Sequence, residues 1–177
     1  MTSIVAHRRQ FGLTLIELCI AVLLLAIGTS IALPSMQALI DRQHQASTLL
    51  TLTAQLDYAR QQGVQRGQPV RVCPLDATDV CGTDWSLGWQ VLDAEDRTLV
   101  STASLHRRQR LLLSSPSAAG IVYQSNGTTQ MGNGTFVLCN LEGDPLWALV
   151  INRQGRLRPR SPEADDHARC NARSGQT

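Results

Sequence analysis

Between Leu18 and Ile40 the chain carries no charged residue for 23 positions, and the run is dominated by Leu, Ile, Ala and Val. At 1.5 Å per residue, a helix of that length exceeds the roughly 30 Å of a bilayer's hydrocarbon core. The run therefore reads as a membrane anchor rather than a core helix. His7, Arg8 and Arg9 precede it. The positive-inside tendency keeps such a flank cytoplasmic and places everything after Ile40 on the far side. Glu17, next to the run, is the anomaly. An ionised group in hydrocarbon costs at least about 2.5 kcal/mol, so an intramembrane carboxylate is by default functional and has a partner.

A secretory signal would have a shorter apolar region ending in a small-residue cleavage site. Here the small residue, Gly12, comes before the apolar run. The stretch Arg8-Arg9-Gln10-Phe11-Gly12, followed by Leu13-Thr14-Leu15-Ile16-Glu17, resembles the class III leader of type IV pilins and pseudopilins. In that family a prepilin peptidase cuts after the glycine. With Leu13 as the first mature residue, Glu17 is the fifth and Pro34 the twenty-second, the positions where the family usually carries Glu and a helix-kinking Pro. Leu13 is the departure, since the family most often has Phe there and its peptidase tolerates the change. The resemblance implies that Glu17 meets the free N-terminal amine of a neighbouring subunit, which neutralises the charge on assembly. It also implies a bacterial inner-membrane protein, single-pass, with its C-terminal domain in the periplasm and its mature form built into a pilus or pseudopilus. The rival reading is a plain transmembrane anchor with an accidental Glu.

All sixteen basic residues are Arg, and removal of Arg8 and Arg9 leaves fourteen against fourteen Asp plus Glu. Net charge therefore excludes nothing about partners, and only local charge is informative. Asp76, Asp79, Asp84, Asp93, Glu95 and Asp96 form an acidic stretch, and Arg107, Arg108 and Arg110 a basic one.

After Pro34 no Gly or Pro occurs until Gly63, and Leu39, Ala46, Leu49, Leu50, Thr53, Leu56 and Ala59 recur at three- and four-residue steps, the spacing of one helical face. One continuous helix over 13–66 is predicted, its first half, 13–40, in lipid; from Leu13 to Val64 it would run about 78 Å. Gly67 and Pro69 stop it. Short β-rich runs follow: PVRVC, WQVL, TLVSTASL, RLLLSS, GIVYQ, TFVLC and LWALVI. Asn126-Gly127 and Asn133-Gly134 read as hairpin turns between them, and also as glycosylation acceptors. The predicted architecture is α+β: a leader at 1–12, the long helix packed on a small antiparallel sheet domain at 67–160, and a tail at 161–177.

The resemblance narrows to minor pilins and pseudopilins of the GspH/FimT type. It is carried by Ala59-Arg60 through Arg66-Gly67-Gln68-Pro69-Val70-Arg71-Val72-Cys73, by Trp85 to Trp89, by Gly120-Ile121-Val122-Tyr123 with Asn126-Gly127, by Phe136 to Cys139, and by Leu149 to Arg156.

Cys19 falls in the anchor as a small apolar filler. The other four cysteines would face the periplasm, where disulfides persist. Four cysteines allow three pairings. The favoured set is Cys73 with Cys81 and Cys139 with Cys170, the latter pinning the tail to the sheet; a zinc site is the rival. The four histidines are scattered, no nucleophile and base are suggested together, and no P-loop occurs. Neither catalysis nor a cofactor is expected.

Arg153, Arg156, Arg158 and Arg160 crowd eight residues with no acid among them. If Leu149 to Leu157 continues a strand, Arg156 and Arg158 alternate onto one face. Guanidinium forks suit phosphate. Gly155-Arg156-Leu157-Arg158 resembles the GRxR element with which FimT-type minor pilins of naturally competent bacteria bind DNA. The resemblance implies prepilin peptidase, other pilin subunits and double-stranded DNA as partners. Against it stands pairing of these arginines with the acidic stretch between Asp76 and Asp96, or their being only solvated. The alternative function is a structural pseudopilin, of the H type, in a type II secretion system.

Overall fold

The computed structural model describes residues 14–76, 81–115 and 120–174, the side chains of 30–35 and 173–174 excepted. The leader, Gly12, Leu13 and Asp79 lie outside these residues, as does the side chain of Pro34. The chain divides into two compact units, 1–43 and 44–177.

Helix α1 is Leu15–Arg66. Its first turn is capped locally: the Glu17 amide donates to Thr14 Oγ1 at 3.3 Å. Thr-x-x-Glu is the capping-box spacing, and a carboxylate in the first turn faces the positive end of the helix dipole. Glu17 thus has a local reason to sit where it does, besides the one implied by resemblance. At the other end Gly67 takes φ 66° and terminates the helix, a conformation that costs glycine nothing. In the first unit, α1 exposes Leu18, Ile20, Val22 to Leu25 and Ile27. Among the described residues no helix is long and apolar enough to cross a membrane. The run Leu18–Ile40 contains residues 30–35, whose side chains are not among those described.

The second unit holds the rest. Strands β1 (Val70–Pro74), β2 (Trp89–Leu92), β3 (Thr98–Thr102) and β5 (Ile121–Tyr123) form one antiparallel sheet in the order β3-β2-β1-β5. Strands β4 (Gln109–Ser114), β6 (Gly134–Asn140), β7 (Pro145–Ile151) and β8 (Leu157–Arg160) form a second, in the order β4-β6-β7-β8. Helix α2, Ala164–Ser174, follows. The tail, expected only to be tied down, is therefore helical.

One core joins both sheets to α1. Leu52, Leu56 and Ala59 are wholly buried with Val72, Trp89, Ile121 and Tyr123 from one sheet and Leu111, Phe136, Leu138 and Leu149 from the other. Burying a leucine side chain stabilises by about 2 kcal/mol. The predicted stripe was right at Leu56 and Ala59 and wrong at Leu39, Ala46 and Leu50, which are exposed; Leu52 takes a core position. Gly63 continues that face because a side chain there would press on the Gln124 carbonyl.

Four turns repeat one design. In Asp93–Arg97, Gln124–Thr128, Asn140–Asp144 and Asn152–Arg156, the first amide donates to the fifth carbonyl and the fourth amide back to the first carbonyl. The fourth residue takes positive φ: Asp96 58°, Gly127 77°, Gly143 90° and Gly155 72°. Asn126-Gly127 thus forms a turn, as predicted. Asn133-Gly134 does not. Gly134 opens β6 and is packed against the Met131 methyl, and β5 and β6 belong to different sheets. Two disulfides are present, Cys73–Cys81 and Cys139–Cys170, with Cα separations of 5.4 and 5.8 Å.

Candidate nucleic-acid interface

The predicted strand from Leu149 to Leu157 is in fact a hairpin. β7 ends at Ile151, the chain turns over Asn152–Arg156, and β8 returns antiparallel with Val150 opposite Arg158 and Ala148 opposite Arg160. The turn is built by its own residues. Asn152 Oδ1 accepts the Arg156 amide at 2.9 Å, and Asn133 Oδ1 accepts the Arg153 amide at 3.2 Å. Pro159 is tolerated because β8 is an edge strand, where a missing donor breaks no ladder.

The four arginines are not equivalent. Arg153, Arg156 and Arg158 are exposed, and among the described residues none of the three forms an ion pair. Arg160 is committed elsewhere. Its Nη1 lies 2.6 Å from Asp166 Oδ2, its Nε 3.6 Å from Glu163 Oε1, and its side chain is only 23% exposed. The Asp166 hydrogen bond raises the Arg160 pKa above its ordinary value. Burial alone would lift the Asp166 carboxyl, but bonds from Arg160 and the Glu163 amide and the charges of Arg160 and Arg169 hold it below 3.8. Arg160 is therefore engaged by carboxylates, unlike the other three arginines of the predicted DNA-binding set. Its charge is already neutralised.

Among the described residues, the acidic side chains from Asp84 to Asp96 do not take up the other three. Asp93 holds Arg97 at 2.9 Å and Arg66 at 3.5 Å, Glu95 holds Arg97, and Asp96 faces Arg71 at 3.5 Å. Burial acts to raise the Asp93 pKa, yet the Arg97 and Glu95 amides and the Arg97 side chain bring it below 3.8. Asp84 caps the 3-10 turn Trp85–Leu87.

Sequence reasoning missed one basic neighbour. Arg60 of α1 donates from Nε to the Gly127 carbonyl at 3.0 Å. Its Cδ lies 3.3 Å from where a Gly155 Cβ would stand, a point also 2.5 Å from the Gly127 carbonyl and 3.0 Å from the Tyr123 ring. The two glycine turns are thus in contact, with Arg60 running beside both. Nothing local in the sequence around Arg60 signals this. The histidines are also less scattered than they read: His44 and His106 stack with centroids 4.7 Å apart.

The type II transport protein GspH model matches residues 49–155, from the buried half of α1 through the turn before β8. The chain belongs to the GspH family. The prokaryotic N-terminal methylation motif matches residues 7–33, which implies cleavage by a peptidase and assembly with other pilins. In fold, this GspH-family chain is similar to the type IV minor pilin FimU of Pseudomonas aeruginosa, at 21% identity and TM-score 0.54 over 68% of this chain and 90% of that one. It is also similar to the minor pseudopilin EpsH of the Vibrio cholerae type II secretion system, at 12% identity and TM-score 0.53 over 68% of this chain and 96% of that one. No curated protein matches it.

Proposed function

We propose that this chain is a minor pilin of a type IV pilus that binds double-stranded DNA for natural transformation. It is anchored in the bacterial inner membrane by the uncharged run around Leu18–Ile40, and acts by assembly and binding rather than catalysis. The observation that supports DNA binding is the sorting of charge at the β7–β8 hairpin. Arg153, Arg156 and Arg158 stand exposed without carboxylate partners among the described residues, while Arg66, Arg71, Arg97 and Arg160 are paired. Phosphate contacts carry no base information, so binding is not sequence-specific. Each arginine engaged adds about −0.9 to the slope of log affinity against log salt.

The test is an anisotropy titration of labelled duplex DNA with the mature full-length chain in detergent, at several salt concentrations. Arg156→Gln with Arg158→Gln should weaken binding about equally on all sequences and flatten the slope by about 2. If that variant binds like wild type, the second reading takes over: a structural pseudopilin of a type II secretion system. The family model, a type II transport protein, favours that reading.

A further inference from the structure

Arg60 is half-buried between α1 and two turns. Its Nε is satisfied by the Gly127 carbonyl, which leaves both terminal NH₂ groups of the fork. Among the described residues it forms no ion pair, although Asp57 lies one turn away on the same helix and its charge reaches the buried Tyr123 hydroxyl. A half-buried guanidinium without a counter-ion favours an anion. The bond to Gly127 also fixes the plane of the fork, so less side-chain entropy is lost when an anion binds.

Its neighbours define which anion. The Arg60 stem touches the turn position of Gly155, flanked in sequence by Arg156 and two residues from Arg153. Glycine is required at 155 twice over, for its φ of 72° and because a Cβ would collide with the Gly127 carbonyl. That close approach brings the arginine of a helix against the turn that carries Arg153 and Arg156, though 93 positions separate Arg60 from Arg153. From this geometry we infer that Arg60 is a phosphate-contacting residue of the nucleic-acid surface, acting with Arg153, Arg156 and Arg158 on one DNA backbone. The inference rests on the DNA-binding reading and adds to it a residue outside the arginine-rich segment.

Four contacts set the wild-type salt slope near −3.6, against about −2.7 for the hairpin arginines alone. Arg60→Gln should flatten it by about 0.9, with a thermal melt confirming that the variant is folded. Arg60→Lys, which keeps the charge and loses the fork, should keep the slope while lowering affinity. A readout without substitution is arginine modification by phenylglyoxal, mapped by mass spectrometry: duplex DNA should protect Arg60 together with Arg156. An unchanged slope in Arg60→Gln, or equal modification with and without DNA, while Arg156→Gln/Arg158→Gln still flattens the slope, overturns the role of Arg60 and leaves the DNA reading standing. If the wild-type chain binds no duplex DNA, both fall.

Discussion

Arg160 Nη1 sits 2.6 Å from Asp166 Oδ2, and the Asp166 side chain is completely buried. The contact divides an arginine run that looks uniform in sequence. Its first three members face solvent, and the fourth anchors α2 to β8. Asp166 also accepts the Glu163 amide at 2.9 Å and meets Arg169 at 3.4 Å, so the carboxylate organises the start of that helix.

Arg160→Gln should therefore be a stability variant, not a binding variant. It leaves a buried carboxylate short of its main partner, a loss of about 2 kcal/mol. The DNA salt slope should not move. A thermal melt and the anisotropy titration, run on the same preparation, separate the two effects.

The pH profile follows from Asp166 and Asp93. Both carboxyls lie below 3.8 in the folded chain. A depressed folded pKa contributes stability that is present above the unfolded value and lost as pH falls through the folded one. Unfolding midpoints should thus stay level from about pH 7 to about pH 5 and drop below about pH 4. In Asp166→Asn that acid loss should shrink; an unchanged acid limb would assign it to other groups.

Asp96 occupies the turn position that Gly127, Gly143 and Gly155 fill in the other three copies of the same turn, at φ 58°. A β-carbon in the left-handed region costs energy that glycine avoids. Its exposed pair with Arg71 at 3.5 Å offsets little. Asp96→Gly should raise stability by about 0.5 to 1 kcal/mol, seen as a higher urea midpoint at unchanged m-value.

Replacing Cys139 and Cys170 together with Ser opens the link between β6 and α2. The chain-entropy estimate for a closed loop of this size is roughly 3 to 4 kcal/mol. Hydrogen exchange should locate the effect: the amides of α2 lose protection first, while β6 and β7 remain protected. Uniform loss across the second sheet would contradict a local clamp.

How much of this was legible in the sequence depended on the range over which each feature is encoded. Helix α1 and its stop at Gly67 were readable because helical spacing and a glycine terminus act within a few residues. The strands and the Asn126-Gly127 turn were readable for the same reason. Leu50 was placed on the stripe because it follows Ala46 at an allowed spacing, yet it lies nearly opposite Leu52, Leu56 and Ala59 on the helix, and packing of that face against both sheets leaves it exposed. Asn133-Gly134 misled because its turn chemistry was overridden by the assignment of β5 and β6 to different sheets.

The arginines lay furthest beyond sequence reasoning. The chain by itself determined that four of them cluster before a polar tail, and that the leader, Glu17 and the apolar run follow the pilin pattern. Tertiary structure decided which of the four are available. An 11-residue polar helix such as α2 is marginal alone, and it persists here under a disulfide across 31 positions and the buried Asp166. Only with that helix in place does Arg160 acquire its partner. Arg60 likewise reaches the hairpin only because two glycine turns pack without side chains between them. Charge pairing depends on distance and desolvation in the folded state, and neither is set by spacing along the chain.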